Sequence, residues 1–129
     1  MPRCIEAPIL EHDRMMERLF GQTLAPHNRL ERKIIANLGH HLAANGWYPI
    51  AVDDTEVVTK VSDIKEAMEL IFNLDEATLY VQKRGDTSNG SRWINLVMGN
   101  GIDIISDYTY SVKDGFHAVM SGFDAEDCQ

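Results

Sequence analysis

Two β-prone runs, Arg92–Met98 and Ile102–Tyr108, flank Asn100-Gly101, the strongest hairpin signal in the chain. A type I′ turn needs positive φ at both central residues, and Asn-Gly meets that need at low steric cost. A two-residue loop sets Leu96 opposite Ile105 and Val97 opposite Ile104. One face then carries Ile94, Leu96, Met98, Asp103, Ile105 and Asp107, and the other Trp93, Asn95, Val97, Ile102, Ile104, Ser106 and Tyr108. Both faces are substantially apolar, whereas a sheet wet on one side alternates cleanly. Either helices cover both faces or a second subunit covers one. Four helices would serve the first arrangement, and the amphipathic first helix the second.

The rest of the chain supplies those partners. Ile9, Leu10, Met15, Met16, Leu19 and Phe20 recur at helical spacing, with Pro8 suited to a first helical position. A stronger helix starts near Pro26, carries Leu30, Ile34, Ile35, Leu38 and Leu42, and stops at Asn45-Gly46. Trp47–Val52 reads as a strand, placed at an edge because Pro49 cannot donate to a ladder. Asp53-Asp54-Thr55 reads as a turn and Val57-Val58-Thr59 as a short return strand. Ser62 or Asp63 caps a third helix, with Asp63 and Glu66 at capping-box spacing and Ile64, Ala67, Met68, Ile71 and Phe72 as its inner stripe. Ala77–Arg84 begins a three-stranded meander that runs to Tyr108, its first loop being 85–90. Ser111 starts a last helix with Val112, Phe116, Val119, Met120 and Phe123 on one side. The predicted fold is α+β: an antiparallel sheet of about five strands packed by about four helices. The expected organisation is one domain over 1–129, with a helical extension (1–25), a core (26–123) and a frayed acidic tail (124–129).

A chain of 129 residues with 44% hydrophobic content can bury an adequate core without a metal or disulfide. No apolar run reaches the roughly 20 residues needed to span a bilayer, and Met1-Pro2-Arg3-Cys4 leads into no long apolar segment. The expected location is cytoplasmic, without membrane association. Cys4 and Cys128 could be bridged if the termini lie close, but two thiols on frayed ends are the expected state in a reducing compartment.

The net charge of −8 is unevenly placed. Residues 1–48 hold six Lys/Arg against five Asp/Glu, a balance of +1; residues 49–129 hold six against fifteen, a balance of −9. The second part would repel a phosphate backbone, so duplex binding is not expected. A basic protein partner fits, with Asp53, Asp54, Glu56, Asp103 and Asp107 as the partner-binding residues.

Trp93–Tyr108, with Val97-Met98-Gly99-Asn100-Gly101 and Ile104-Ile105-Ser106-Asp107-Tyr108, resembles a segment of small phage and prophage proteins. Gly46–Asp54 and the third helix running into Asn73-Leu74-Asp75-Glu76 resemble the same proteins. The resemblance spans roughly residues 40–123 and implies a phage-like origin and this strand order. It implies no catalytic residues.

Catalytic, metal and cofactor sites are not expected. His40 and His41 are adjacent, about 100° apart on a helix, and cannot easily share one ion. His27–Glu31 has the workable i, i+4 spacing, and His12 lies near Glu17, but neither pair has a third ligand. Neither cysteine sits in a predicted element, and no serine occupies a nucleophile elbow; Asn89-Gly90-Ser91 is loop. Asp103 and Asp107 would lie about 13 Å apart along a strand, too far for paired acid–base work. Gly99-Asn100-Gly101 has too few glycines for a phosphate loop, and Arg84-Gly85-Asp86 matches the integrin tripeptide only by chance. Trp93 and Tyr108 on one face, beside Lys83, Arg84 and Arg92, suggest single-strand nucleic-acid stacking as an alternative; core packing is the simpler account. Arg29-Leu30-Glu31-Arg32-Lys33 reads as the solvated side of its helix. The favoured expectation is a non-enzymatic phage or mobile-element accessory that blocks a host protein, such as a nucleic-acid-handling defence complex. A small metal-dependent enzyme using His27, Glu31, His40 or His41 is the remaining alternative.

Overall fold

Alternation in the strand Glu76–Lys83 sets the layering: Ala77, Leu79 and Val81 are buried, while Thr78, Tyr80 and Gln82 are only half-buried. The computed structural model describes residues 4–85 and 90–129. Its elements are α1 (Glu11–Phe20), α2 (Pro26–Ala44), β1 (Trp47–Asp53), β2 (Val58–Lys60), α3 (Ile64–Ile71), β3 (Glu76–Lys83), β4 (Arg92–Val97), β5 (Ile105–Tyr108) and α4 (Phe116–Ser121). The five strands form one antiparallel sheet in the order β2-β1-β3-β4-β5. The fold is α+β, as the sequence patterns require. Residues 86–89, among them Asp86 of Arg84-Gly85-Asp86 and Asn89 of Asn89-Gly90-Ser91, lie outside the described residues.

Helices α2, α3 and α4 all pack on one side of the sheet. Ile34, Ile35, Leu38 and Leu42 of α2 meet Ala67, Met68 and Ile71 of α3 and the inward Val52, Leu79, Ile94 and Leu96 of the strands. Trp47 closes one end of this core against Phe116, with ring centroids 4.9 Å apart. Gly39 lets α2 touch α3: a Cβ there would meet Ile64 Cβ at 2.7 Å. Asp63 caps α3 by accepting the Glu66 N–H at 2.8 Å, and the Ser62 hydroxyl donates to the Glu66 carboxylate.

Among the described residues no helix covers the opposite sheet face, contrary to the expectation that both faces are apolar. A register shift between Asn95 and Leu96 explains the difference. It sets Asp107 opposite Asn95 on the open face and Tyr108 opposite Ile94 on the core face, reversing the sides assigned by simple alternation. The type I′ turn is also absent. Asn100 has φ −96° whereas Gly99 and Gly101 have +97° and +60°, and Gly101–Asp103 forms a 3-10 turn. The cause is Glu31, 1% exposed on α2, whose carboxylate accepts the N–H of Gly99 at 2.8 Å and of Gly101 at 2.7 Å. A buried carboxylate needs donors, and the longer loop aims two amides at it. Leu96 still pairs with Ile105, and Val97 N–H still donates to Ile104 O.

The stretch Arg29–Lys33 is therefore not a solvated face. Arg32 is 9% exposed, its guanidinium donating twice to Asp13 (2.6 and 3.0 Å) and lying 4.5 Å from the Phe72 ring centroid. Strand β1 is not an edge strand either. Because β2 pairs only with Ala51–Asp53, Pro49 faces no partner on that side and its missing N–H costs no ladder bond. The last helix begins at Phe116 rather than Ser111, since Gly115 adopts φ +83° just before it.

The described residues nearest the two termini are tied together. Cys4 and Cys128 form a disulfide, not the two thiols expected, and Cys128 is 3% exposed within a 3-10 turn at Ala125–Cys128. Residues 4–10 run extended instead of starting a helix at Pro8. Asn37 mimics a strand partner for them, accepting the Ile5 N–H at 2.9 Å and donating to Ile5 O at 2.8 Å.

Two substitutions test these contacts. Glu31→Gln leaves two buried amides sharing one acceptor, and should lower unfolding free energy by about 2 kcal/mol in urea titrations. Hydrogen exchange at Gly99 and Gly101 should rise with it. Gly39→Ala should destabilise by about 1–3 kcal/mol through overpacking on Ile64, despite its better helix propensity.

Candidate functional site

With every helix on one side, β1 to β5 present a bare face whose rows follow from the strand register. One row crosses the sheet as Val58, Asp53, Thr78, Asn95 and Asp107. The next carries Lys60, Ala51, Tyr80 and Trp93. Tyr48 and Gln82 follow at one end, and Glu76 with Val97 at the other. Adjacent strands lie about 4.8 Å apart, so Asp53 and Asp107 bracket the polar row at about 14 Å.

Hydrogen bonds hold the middle of that row. Asn95 Nδ2 donates to Ser106 Oγ at 2.7 Å and to Glu76 Oε1 at 3.4 Å, and the Thr78 hydroxyl donates to Asn95 Oδ1 at 3.4 Å. The β1–β2 turn carries two more carboxylates. Asp53 accepts the Thr55 N–H at 2.8 Å, while Asp54 accepts from Val57 and Glu56 at 2.7 and 2.9 Å. The Val57 and Glu56 amides hold the Asp54 carboxyl below its ordinary pKa, so its charge persists into mildly acidic solution. Thr55 takes φ +82° to make this turn.

The aromatic part is Tyr80 directly opposite Trp93, the latter 37% exposed, with Tyr48 beyond. The Arg84 guanidinium lies 4.1 Å from the Tyr48 ring centroid. Trp93 and Tyr108 do not share a face: Tyr108 points inward to Phe116 (6.1 Å between centroids) and His117. The basic hairpin is also dispersed. Arg92 pairs with Asp114 at 2.6 Å, and Lys83 Nζ donates to Asp114 O at 3.4 Å, leaving Arg84 over the open face.

Of the five carboxylates marked from sequence, Asp53 and Asp107 stand at opposite ends of the polar row on the open face, with Asp54 and Glu56 on the β1–β2 turn beside Asp53. Asp103 is elsewhere, in the 3-10 turn bound by Glu31. Tyr48 and Tyr80 were missed by sequence reasoning. Period-two alternation over Ala77–Val81 carries the signal for Tyr80, because its neighbours Leu79 and Val81 must point inward.

The histidines are separated. His41 Nε2 lies 2.7 Å from Val119 O and its ring 5.6 Å from that of Phe123; His40 is exposed. Glu31 is already committed to Gly99 and Gly101, so the His27–Glu31 pair does not form a site. Among the described residues no group of three His, Cys, Asp or Glu could hold a metal ion. His117 lies 3.4 Å from Ser121 Oγ and 3.5 Å from Tyr108 OH. The first contact is the ordinary i, i+4 neighbour pair of a helix, and both distances are long for activating a nucleophile.

No protein-family model, curated protein or solved structure matches the chain. No helix among the described residues is long and apolar enough to cross a membrane.

Asp114 anchors the margin next to Trp93. Burial pushes its carboxyl upward, but the Phe116 N–H, the Ser111 hydroxyl and Arg92 together outweigh burial and lower its pKa. A carboxyl depressed in the folded state adds stability above its unfolded pKa of about 3.9, lost as pH falls through the folded value. Asp114→Asn should cost about 2 kcal/mol at pH 7 by removing the charge-assisted 2.6 Å contact with Arg92. It should also flatten the loss of stability that the unaltered protein shows below about pH 4.

Proposed function

We propose that the chain is a non-enzymatic protein-binding module that takes a cationic, partly apolar segment of a partner on its open sheet face. The observation that carries this reading is the register, which sets the Tyr80–Trp93 pair directly beside the Asp53–Thr78–Asn95–Asp107 row. Aromatic faces attract Arg and Lys by cation–π interaction, and flanking carboxylates pair with the same side chains. An aromatic centre with a polar rim is also the usual anatomy of a binding surface. The balance of −9 over residues 49–129 adds a long-range attraction that speeds encounter with a basic partner.

A surface of this kind competes with nucleic acid for a basic groove. The fuller proposal is therefore a phage-type accessory that occupies the nucleic-acid-handling surface of a host protein. Stacking of single-stranded nucleic acid on Tyr80 and Trp93 is the second reading, favoured by that aromatic pair alone. Electrostatics weighs against it, because the carboxylates of Asp53, Asp107 and Glu76 outnumber the cations Lys60 and Arg84 on the face.

The test uses a 12-residue peptide alternating Arg and Leu, a Glu/Leu counterpart, and oligo(dT), each titrated against the intact protein. The Arg peptide should bind, weakening as salt rises. Trp93→Ala or Tyr80→Ala should each reduce affinity about tenfold. Asp53→Asn with Asp107→Asn should matter at low salt and fade at high salt. Equal binding of the Glu peptide, or indifference to Trp93→Ala, would overturn the proposal; oligo(dT) binding alone would move it to the second reading.

A further inference from the structure

We propose that Cys4–Cys128 is a thiol–disulfide exchange site, opened by a dithiol that attacks Cys4, and that it latches residues 4–20 onto the helical layer. Nothing in the binding reading requires it.

The two sulfurs differ in access. Cys128 is 3% exposed, whereas Cys4 lines a surface cleft of about 330 Å³ with His40, His41, Phe123, Asp124 and Asp127. A thiolate entering this cleft reaches Cys4 Sγ first. It forms a mixed disulfide there as the S–S bond breaks, and Cys128 leaves as a thiolate that takes a proton from water. The reductant's second thiol, deprotonated in turn, attacks the mixed disulfide at the reductant's own sulfur and releases Cys4, which is then protonated. Two electrons and two protons pass from the dithiol to the protein, and the dithiol becomes a disulfide.

What the bond holds is otherwise lightly attached. Residues 4–10 bury one side chain fully, Leu10, and pair with the core through Asn37. Helix α1 buries none of its residues, and its anchors are the Glu11 N–H on the Glu69 carboxylate at 2.9 Å and the Asp13–Arg32 pair. To the core cluster this segment gives only Leu10, with Cys4 and Ala7 at its margin; apart from Cys128, the other buried residues belong to the sheet, helices α2 to α4 and the loops between them. Breaking the bond frees the far end of a peripheral segment that then stays joined to the core only through the backbone leading into α2, so local opening is the expected consequence.

Dithiothreitol is the probe. The oxidised protein is incubated with it in native buffer, then alkylated and weighed, with amide exchange followed before and after. Both thiols should become alkylatable without denaturant. Exchange should rise at least about tenfold at Ile5, Glu11 and α1 while β3 and β4 stay protected, and reoxidation should reverse the change. Cys4→Ser should reproduce the exchange pattern of the reduced protein. The proposal fails if reduction needs denaturant, if it leaves Ile5 and α1 protected, or if β3 and β4 lose protection with them. A Cys4→Ser chain that does not fold would equally overturn it, because opening would then be global unfolding.

Discussion

The carboxylate of Glu31, with its two backbone partners, is the constraint on which the sheet's far edge depends. A carboxyl group at 1% exposure is sustained only by hydrogen-bond partners placed for it, and the loop after β4 has the glycines needed to turn its amides inward. Through Gly99 and Gly101 the contact ties the second turn of α2 to the connection that launches β5. The connection cannot then close as a two-residue turn. The 3-10 turn that replaces it buries Ile104 beneath α2, and β5 starts only at Ile105.

Sidedness follows from the same geometry. With β5 shortened and shifted against β4, Tyr108 turns toward Phe116 and Asp107 toward solvent. α2, α3 and α4 cover a single face, and the row from Asp53 to Asp107 is left bare. The open face is thus coupled to a carboxylate on the opposite side of the sheet. Arg92 and Asp114 fix the neighbouring margin, drawing one cation of the β3–β4 hairpin away from Trp93 and leaving an acidic and aromatic surface.

Much of the fold was legible because its signals are local. Asp63 and Glu66 announce the start of α3, Asn45-Gly46 the end of α2, and alternation in Ala77–Val81 the inward face of β3. What escaped depends on contacts distant in sequence. Nothing near Glu31 reveals that its donors lie 68 and 70 residues on, so a charged run passed for a solvated face. The shift between Asn95 and Leu96 is a pairing irregularity, invisible to a count of alternating residues. The disulfide depends on Asn37 holding residues 4–10 beside the turn that carries Cys128. The acidic surface was half legible: Asp53, Asp54 and Glu56 cluster by sequence, Asp107 reaches the far end of their row only through the register, and Asp103 is removed by the turn.

Size bears on what can cover the open face. At ordinary strand spacing its strands project a footprint of about 450 Å², roughly half of the ~800 Å² per partner of a standard stable interface. Two copies meeting face to face would also bring Asp53, Asp107 and Glu76 of both into one interface, a like-charge cost only partly offset by Lys60 and Arg84. A single helix or extended segment matches the footprint, and one bearing Arg or Lys removes the repulsion as well. The shape and the charge of the face are thus consistent with the proposed occupant, one cationic element of a larger partner.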